Sequence, residues 1–158
     1  MNPDLIGKTV VLTTSNCTMA MLQVKHAKKA LAGAFTNISA LAEMLYKENE
    51  DVLLLCAGWK NKFSIEDSLF AGALTDRLVN DYDFESDDDG ALASLTLYHS
   101  VKDNIPEFLK NSSHRHRLGH LNLDKDIEYC LKHDQASVVP QFDGHAIRLA
   151  KIAVLNPE

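Results

Sequence analysis

Apolar residues fall along this chain in two alternating patterns, short unbroken runs and longer stretches with helical spacing. Thr9 to Thr13 is β-branched and apolar, the pattern of a buried strand, and a polar turn follows it, "TTSNCTMAM", residues 13 to 21. Met19, Leu22 and Ala27 then mark a short helix. Ala30 to Phe35 is a second apolar run, after which Asn37 is placed to cap a helix carrying Ile38, Leu41, Ala42 and Leu45 on one side. The run from Asp51 to Ala57 shows no alternation, which predicts a strand covered on both faces, and Gly58 ends it. In "SIEDSLFAGALTDRL" Ser64 is the cap, Glu66 and Asp67 fall in the first turn, and Ile65, Leu69, Ala73, Leu74 and Leu78 recur on one face.

The second half reads as more helical. An acidic start at 85–90 leads into Ala91, Leu95 and Tyr98, and residues 105 to 134 form two or three short helices broken near Pro106, Ser112 and Gly119. Ser137 to Phe142 and Ala146 to Ala150 return to strand, with Pro140 arguing for an edge position of the first. Repeated strand, loop and helix units predict an α/β fold of three layers, α/β/α, around a mainly parallel or mixed sheet. In such sheets ligands bind beyond the carboxyl ends of the strands. The loops Thr14 to Thr18, Thr36 to Asn37 and Gly58 to Ser64 all fall there.

Composition narrows the range of functions. The 158 residues fit a single domain, spanning 1–158 without an internal linker, with 46% hydrophobic and 24% charged residues. A formal net charge of -6 argues against a nucleic-acid or anionic-membrane partner, so a small molecule is expected. With no signal-like amino end and no spanning apolar run, a cytoplasmic location is the expectation. Cys17, Cys56 and Cys130 are odd in number and form no C-x-x-C pair, so neither a disulfide framework nor a zinc knuckle is predicted.

Four groups are candidates for chemistry. The acidic run at 85–90 lacks the ligand spacing of a calcium loop and reads as a solvated helix start. His116 and His120 would share a helix face as metal ligands, with Arg115 and Arg117 gripping an oxyanion, or the segment is only a polar helix face. Cys17 is a thiolate activated by a helix amino end, or a small hydrophobe. Glu66 and Asp67 either complement a helix dipole or, just past a strand end, hold a hard cation such as magnesium against substrate phosphate.

At these residues a family resemblance appears. "LLLCAGWKNKFSIEDSLFAGALTDRL", residues 53 to 78, closely resembles the segment C-A-G-x-x-G-x-[FY]-S-x-E-D-x-x-x-A-G of the 2-phosphosulfolactate phosphatases, the ComB family. "GKTVVLTTSNCTMAM" is similar to the family's G-K-x-[VI]-[VI]-x-T-T-x-N-G-T-x-A, "GAFTNISALAEML" to its strand and asparagine-capped helix, and "LGHLNLDKDIEYCLKHDQASVVPQF" to its closing motifs. The resemblance implies a ComB-like fold and a magnesium-dependent phosphatase acting on a small phosphorylated, sulfonated acid, in a family associated with coenzyme M biosynthesis. Carried over residue by residue, it implies Thr13, Thr14, Asn16 and Thr18 in the first loop, Asn37 in the second, and Cys56, Gly58, Ser64, Glu66 and Asp67 in the third. Glu66, Asp67 and Cys56 are expected to be catalytic, with Glu66 and Asp67 as magnesium ligands. Thr14, Asn16, Thr18, Asn37 and Ser64 are expected to bind substrate.

Two departures from the pattern qualify the expectation. The family's opening segment, with a strand and loop like V-x-D-V-x-R-A, has no counterpart here, so the chain is expected to correspond to the central and C-terminal part. Cys17 stands at the family's glycine and Met19 at a position often basic. A diverged or truncated, non-catalytic anion-binding or assembly protein of the same fold is the alternative. A homo-oligomer covering the open sheet edge is expected in either case.

Overall fold

The computed structural model describes residues 6–8, 14, 16–121 and 123–151, with the side chain at 120 excluded. Its longest element is the helix Ile65–Tyr82 (α3), and the reasons are local. Ser64 is extended and accepts a bond from the Asp67 amide, Glu66 and Asp67 complement the amino end, and Asp83, in the left-handed conformation, stops the helix. Leu69, Leu74 and Leu78 are buried on the face that the apolar spacing predicts. Full burial of such a side chain contributes about 1.5–3 kcal/mol.

Two helices pack against α3. Ile38–Glu48 (α2) buries Ile38, Leu41, Ala42 and Met44 and ends at a left-handed Asn49. Asp89–Val101 (α4) starts at Asp88, whose carboxylate accepts from the Ala91 amide, so the acidic run is the solvated helix start its composition predicts. Before these come Asn16–Gln23 (α1) and the two-residue strand Ala30–Leu31 (β1). After them come the short helices Ile105–Leu109 (α5), Ser113–Leu118 (α6) and Asp124–Cys130 (α7). Pro106 lies in the first turn of α5, where a missing N–H costs nothing. Phe35, Ile105, Leu109, Val139 and Ala150 complete the core around α2 and α3.

The sheet differs from the parallel arrangement expected. Strands Pro140–Phe142 (β2) and Ile147–Leu149 (β3) pair antiparallel, and β1 pairs antiparallel with β2, giving a three-stranded sheet in the order β1-β2-β3. The turn explains the direction, because a connection this short can join only antiparallel neighbours. Gly144 takes a positive φ of 95°, and Asp143 Oδ1 accepts from the amides of His145 and Ala146 at 2.9 and 2.7 Å. Those amides, with the Arg148 guanidinium on Oδ2, hold the Asp143 carboxyl well below the usual carboxylate range. β2 is also central in this sheet, against the edge position that Pro140 suggested. Pro140 is the strand's first residue, and its carbonyl still accepts from Ala32 N at 2.8 Å.

Residues 51–57 have no strand partner among the described residues, and Leu53 is 85% exposed. The strand predicted over Thr9 to Thr13 lies outside the described residues. The described structure is therefore a mixed α/β arrangement with an antiparallel sheet, and no helix in it is long and apolar enough to cross a membrane.

A clamp ties the turn after α7 to α2. Ser39 donates its amide and hydroxyl to Asp134 at 2.8 and 2.6 Å, and Arg77 donates to the same Ser39 hydroxyl. Partial burial pushes the Asp134 carboxyl up, but the two Ser39 bonds together with the nearby Arg77 and His133 pull it the other way, and the net shift is downward. A lowered carboxyl stabilises the fold above its unfolded value and loses that contribution as pH falls through the folded one. The stability difference between wild type and Asp134→Asn, read from urea midpoints, is therefore expected to be constant near neutrality and to shrink below about pH 4. A difference that grows on acidification would contradict the clamp.

Candidate functional site

The site is built on the amino end of α3 and the loop that precedes it. Ser64 Oγ donates to Asp67 Oδ1 at 2.7 Å and lies 3.4 Å from Glu66 Oε2. Asp67 Oδ2 accepts from the Gly58 amide at 2.8 Å, so both oxygens of Asp67 accept from the protein. Gly58 has φ +65°, and a Cβ there would lie 2.6 Å from the Lys62 carbonyl oxygen. Only glycine fits this turn. Asp67 thus fixes the loop through a short bond on each oxygen, while among the described residues Glu66 Oε2 has only the 3.4 Å contact with Ser64 Oγ.

Glu66 is met from α6. Ser112 Oγ donates to Glu66 Oε1 at 2.5 Å, and His114 Nδ1 lies 3.9 Å from the same oxygen. Ser112 also caps α6 through the Arg115 amide. Sequence reasoning considered the histidines and arginines of this segment but did not place Ser112 or His114 at Glu66. The capping pattern of Ser112 ahead of "SHRHRL" was the available signal, since it fixes where the helix starts and which side chains lead it. His116 and His120 do not share one α-helix, because α6 ends at Leu118 and a tighter turn, Gly119–Leu121, follows.

The first loop joins the third. Asn16 Oδ1 accepts from the Lys60 amide at 3.2 Å, and Thr14 Oγ1 caps α1 by accepting from the Thr18 amide at 3.2 Å. Thr14, Cys17 and Thr18 are exposed, and Thr13 lies outside the described residues. Cys17, Cys56, Glu66, Asp67 and His114 line one apolar-walled groove of about 830 Å³ among the described residues.

Asn37 does not join them. Its Oδ1 accepts from Ala34 N at 2.9 Å and its Nδ2 donates to the carbonyls of Ala32 and Val138 at 3.3 and 3.0 Å, so the amide holds three backbone groups and is buried. It stitches β1 to the segment before β2, and its side chain makes no capping bond to α2. Cys56 is placed at the groove, yet partial burial of its sulfur and the Asp67 carboxylate push its thiol up, with Ser68 pulling weakly the other way.

Among the described residues no three His, Cys, Asp or Glu side chains group as metal ligands. Magnesium, however, needs only one or two protein carboxylates, with water and substrate oxygens completing its shell. Glu66 Oε2 fits that requirement. Each Asp67 oxygen accepts one short bond, from Ser64 and from Gly58, which leaves a lone pair on each for a metal while making Glu66 Oε2 the more open position.

Fold and site together define a mixed α/β protein in which two polar loops meet at the acidic amino end of one long helix. Residues 1–145 match the family described as 2-phosphosulpholactate phosphatase, and the chain belongs to that family. It is 37% identical over 145 residues to a probable 2-phosphosulfolactate phosphatase of Caldanaerobacter subterraneus subsp. tengcongensis, covering 92% of this chain and 60% of the relative. Proteins of the same name from Thermotoga maritima and Clostridium tetani are 42% and 38% identical, over 85% and 90% of this chain and 56% and 60% of theirs. The chain thus spans about three-fifths of the length of the curated relatives it matches.

Proposed function

We propose that this chain carries a phosphate-ester hydrolysis site of the 2-phosphosulfolactate type, with Glu66 as the carboxylate that works and Asp67 as the one that positions. One observation carries the reading. In a family described by its phosphatase activity, Glu66 is the site carboxylate with an oxygen that, among the described residues, takes no bond shorter than 3.4 Å. Ser112 fixes one Glu66 oxygen, and at the other a magnesium ion would be held together with substrate phosphate. The bound ion would neutralise charge on the phosphoryl oxygens. Water attacks phosphorus, the ester P–O bond breaks, and the alcohol leaves with a proton. His114, beside Glu66, is placed to carry that proton. The amides and hydroxyls of the loops around Asn16 and Gly58 supply neutral donors for the anion.

The direct test is release of inorganic phosphate from small phosphate esters by the 158-residue chain, with and without magnesium. Turnover that needs the metal and stops on chelation is the expected result. Absence of turnover at high protein concentration, with magnesium present and the fold intact by circular dichroism, overturns the proposal for this chain.

A further inference from the structure

A single hydroxyl ties Arg115 to the working carboxylate. Ser112 Oγ accepts from the Arg115 amide at 3.2 Å and donates to Glu66 Oε1 at 2.5 Å, so one bridging group joins the third residue of α6 to Glu66. Both residues line the same groove of about 830 Å³. The Arg115 side chain is only 26% exposed, and its Nη2 donates to Asp124 Oδ1, 3.0 Å away at the start of α7.

That partner holds it weakly. The Asp124 side chain is 78% exposed, and an ion pair so open to water contributes little. A guanidinium fork on two phosphate oxygens instead makes two charge-assisted bonds, each roughly twice as strong as a neutral one. Exchange of the Asp124 carboxylate for a phosphoryl group is therefore favourable. It also meets a need, because the loop amides and hydroxyls are neutral donors, and a phosphate beside Glu66 meets a carboxylate of like charge. Lys28 and Lys29 line the groove too, but they pair with Glu50 and Glu48 around the end of α2, and among the described residues no bond joins either to Glu66.

We propose that Arg115 is a phosphate-binding residue of the hydrolysis site, held in reserve by Asp124 until the phosphoryl group takes the place of that carboxylate. The guanidinium stays protonated throughout and only its partner changes. This inference rests on the phosphate-ester reading above, and its test reads binding rather than turnover.

Inorganic phosphate, the product of the reaction, is titrated calorimetrically into the full chain with magnesium present. Arg115→Met should raise the dissociation constant about tenfold or more, as loss of a charge-assisted contact does. Arg115→Lys should recover only part of the loss, because an ammonium does not form the fork. Asp124→Asn removes the competing carboxylate and should lower the dissociation constant about two- to fivefold, a gain that misfolding cannot produce. The double variant should bind phosphate as Arg115→Met does. A pair that only braces α6 against α7 would give weaker binding in both single variants. Absence of phosphate binding by the wild type, wild-type binding in Arg115→Met, or binding no tighter than wild type in Asp124→Asn would overturn the assignment. If the chain hydrolyses phosphate esters yet fails this titration, the role of Arg115 alone is wrong; if phosphate binding follows Arg115 and Asp124 as stated and no ester is hydrolysed, the hydrolysis reading alone is wrong.

Discussion

Replacing Gly72 by alanine is expected to destabilise the fold by about 2–3 kcal/mol and to lower the melting temperature by roughly 10 °C. A Cβ at Gly72 would stand 2.0 Å from the Ser94 carbonyl oxygen, 2.6 Å from its carbon and 2.8 Å from Tyr98 Cβ. The obstacle is mostly the backbone of α4, which no rotamer change can move. The helices α3 and α4 would have to separate, loosening the packing of Leu97 and Tyr98 against the core. Alanine is the better helix former by about 1 kcal/mol, so the measured loss is the collision less that gain. Gly119 serves as the control, since a Cβ there meets nothing within 4 Å among the described residues. Gly119→Ala should be neutral or mildly stabilising. Equal urea midpoints for the two variants would mean that α3 and α4 do not cross as closely as described.

How far the sequence discloses this structure depends on whether a feature is local. Ser64, Glu66 and Asp67 announce the start of α3 because a cap and its helix lie within four residues, and Asp88 does the same for α4. The apolar spacing of α2 and α3 likewise marks their buried faces. Sheet direction was not legible: the Asp143 turn could be read only as a gap between two strands, and the partner of Ala30–Leu31 lies more than a hundred residues away. Asn37 misled for a related reason. A polar residue before a helix suggests a cap or a ligand contact, but its amide bonds Val138, a partner 101 positions distant.

The candidate site divides in the same way. The pairing of Glu66 with Asp67 was visible, and so was the likeness of the loop before them to one family. Their different duties were not, because these follow from Gly58 and Ser112, which reach the two carboxylates from nine and 46 positions away. Arg115 was legible as a cation able to grip an oxyanion but not as a neighbour of Glu66, since that follows from the same Ser112 bond.

Those duties predict opposite behaviour for the two neighbouring carboxylates. Glu66→Gln keeps an acceptor for the Ser112 hydroxyl and removes only the charge, so stability should fall by no more than about 0.5–1 kcal/mol, the scale of a helix-dipole contact. Metal-dependent hydrolysis should fall at least about a hundredfold, because an amide is a poor magnesium ligand and cannot take a proton. Asp67→Ala leaves the Gly58 amide and the Ser64 hydroxyl without their shared acceptor, in a partly buried loop. Losing an ionised acceptor there should cost about 2–3 kcal/mol. The Gly58 turn is then no longer held at the site, so activity is lost together with stability. Urea unfolding and phosphate release, measured on both variants, separate the roles. If Glu66→Gln unfolds early and Asp67→Ala does not, the assignment of working and positioning carboxylate is reversed.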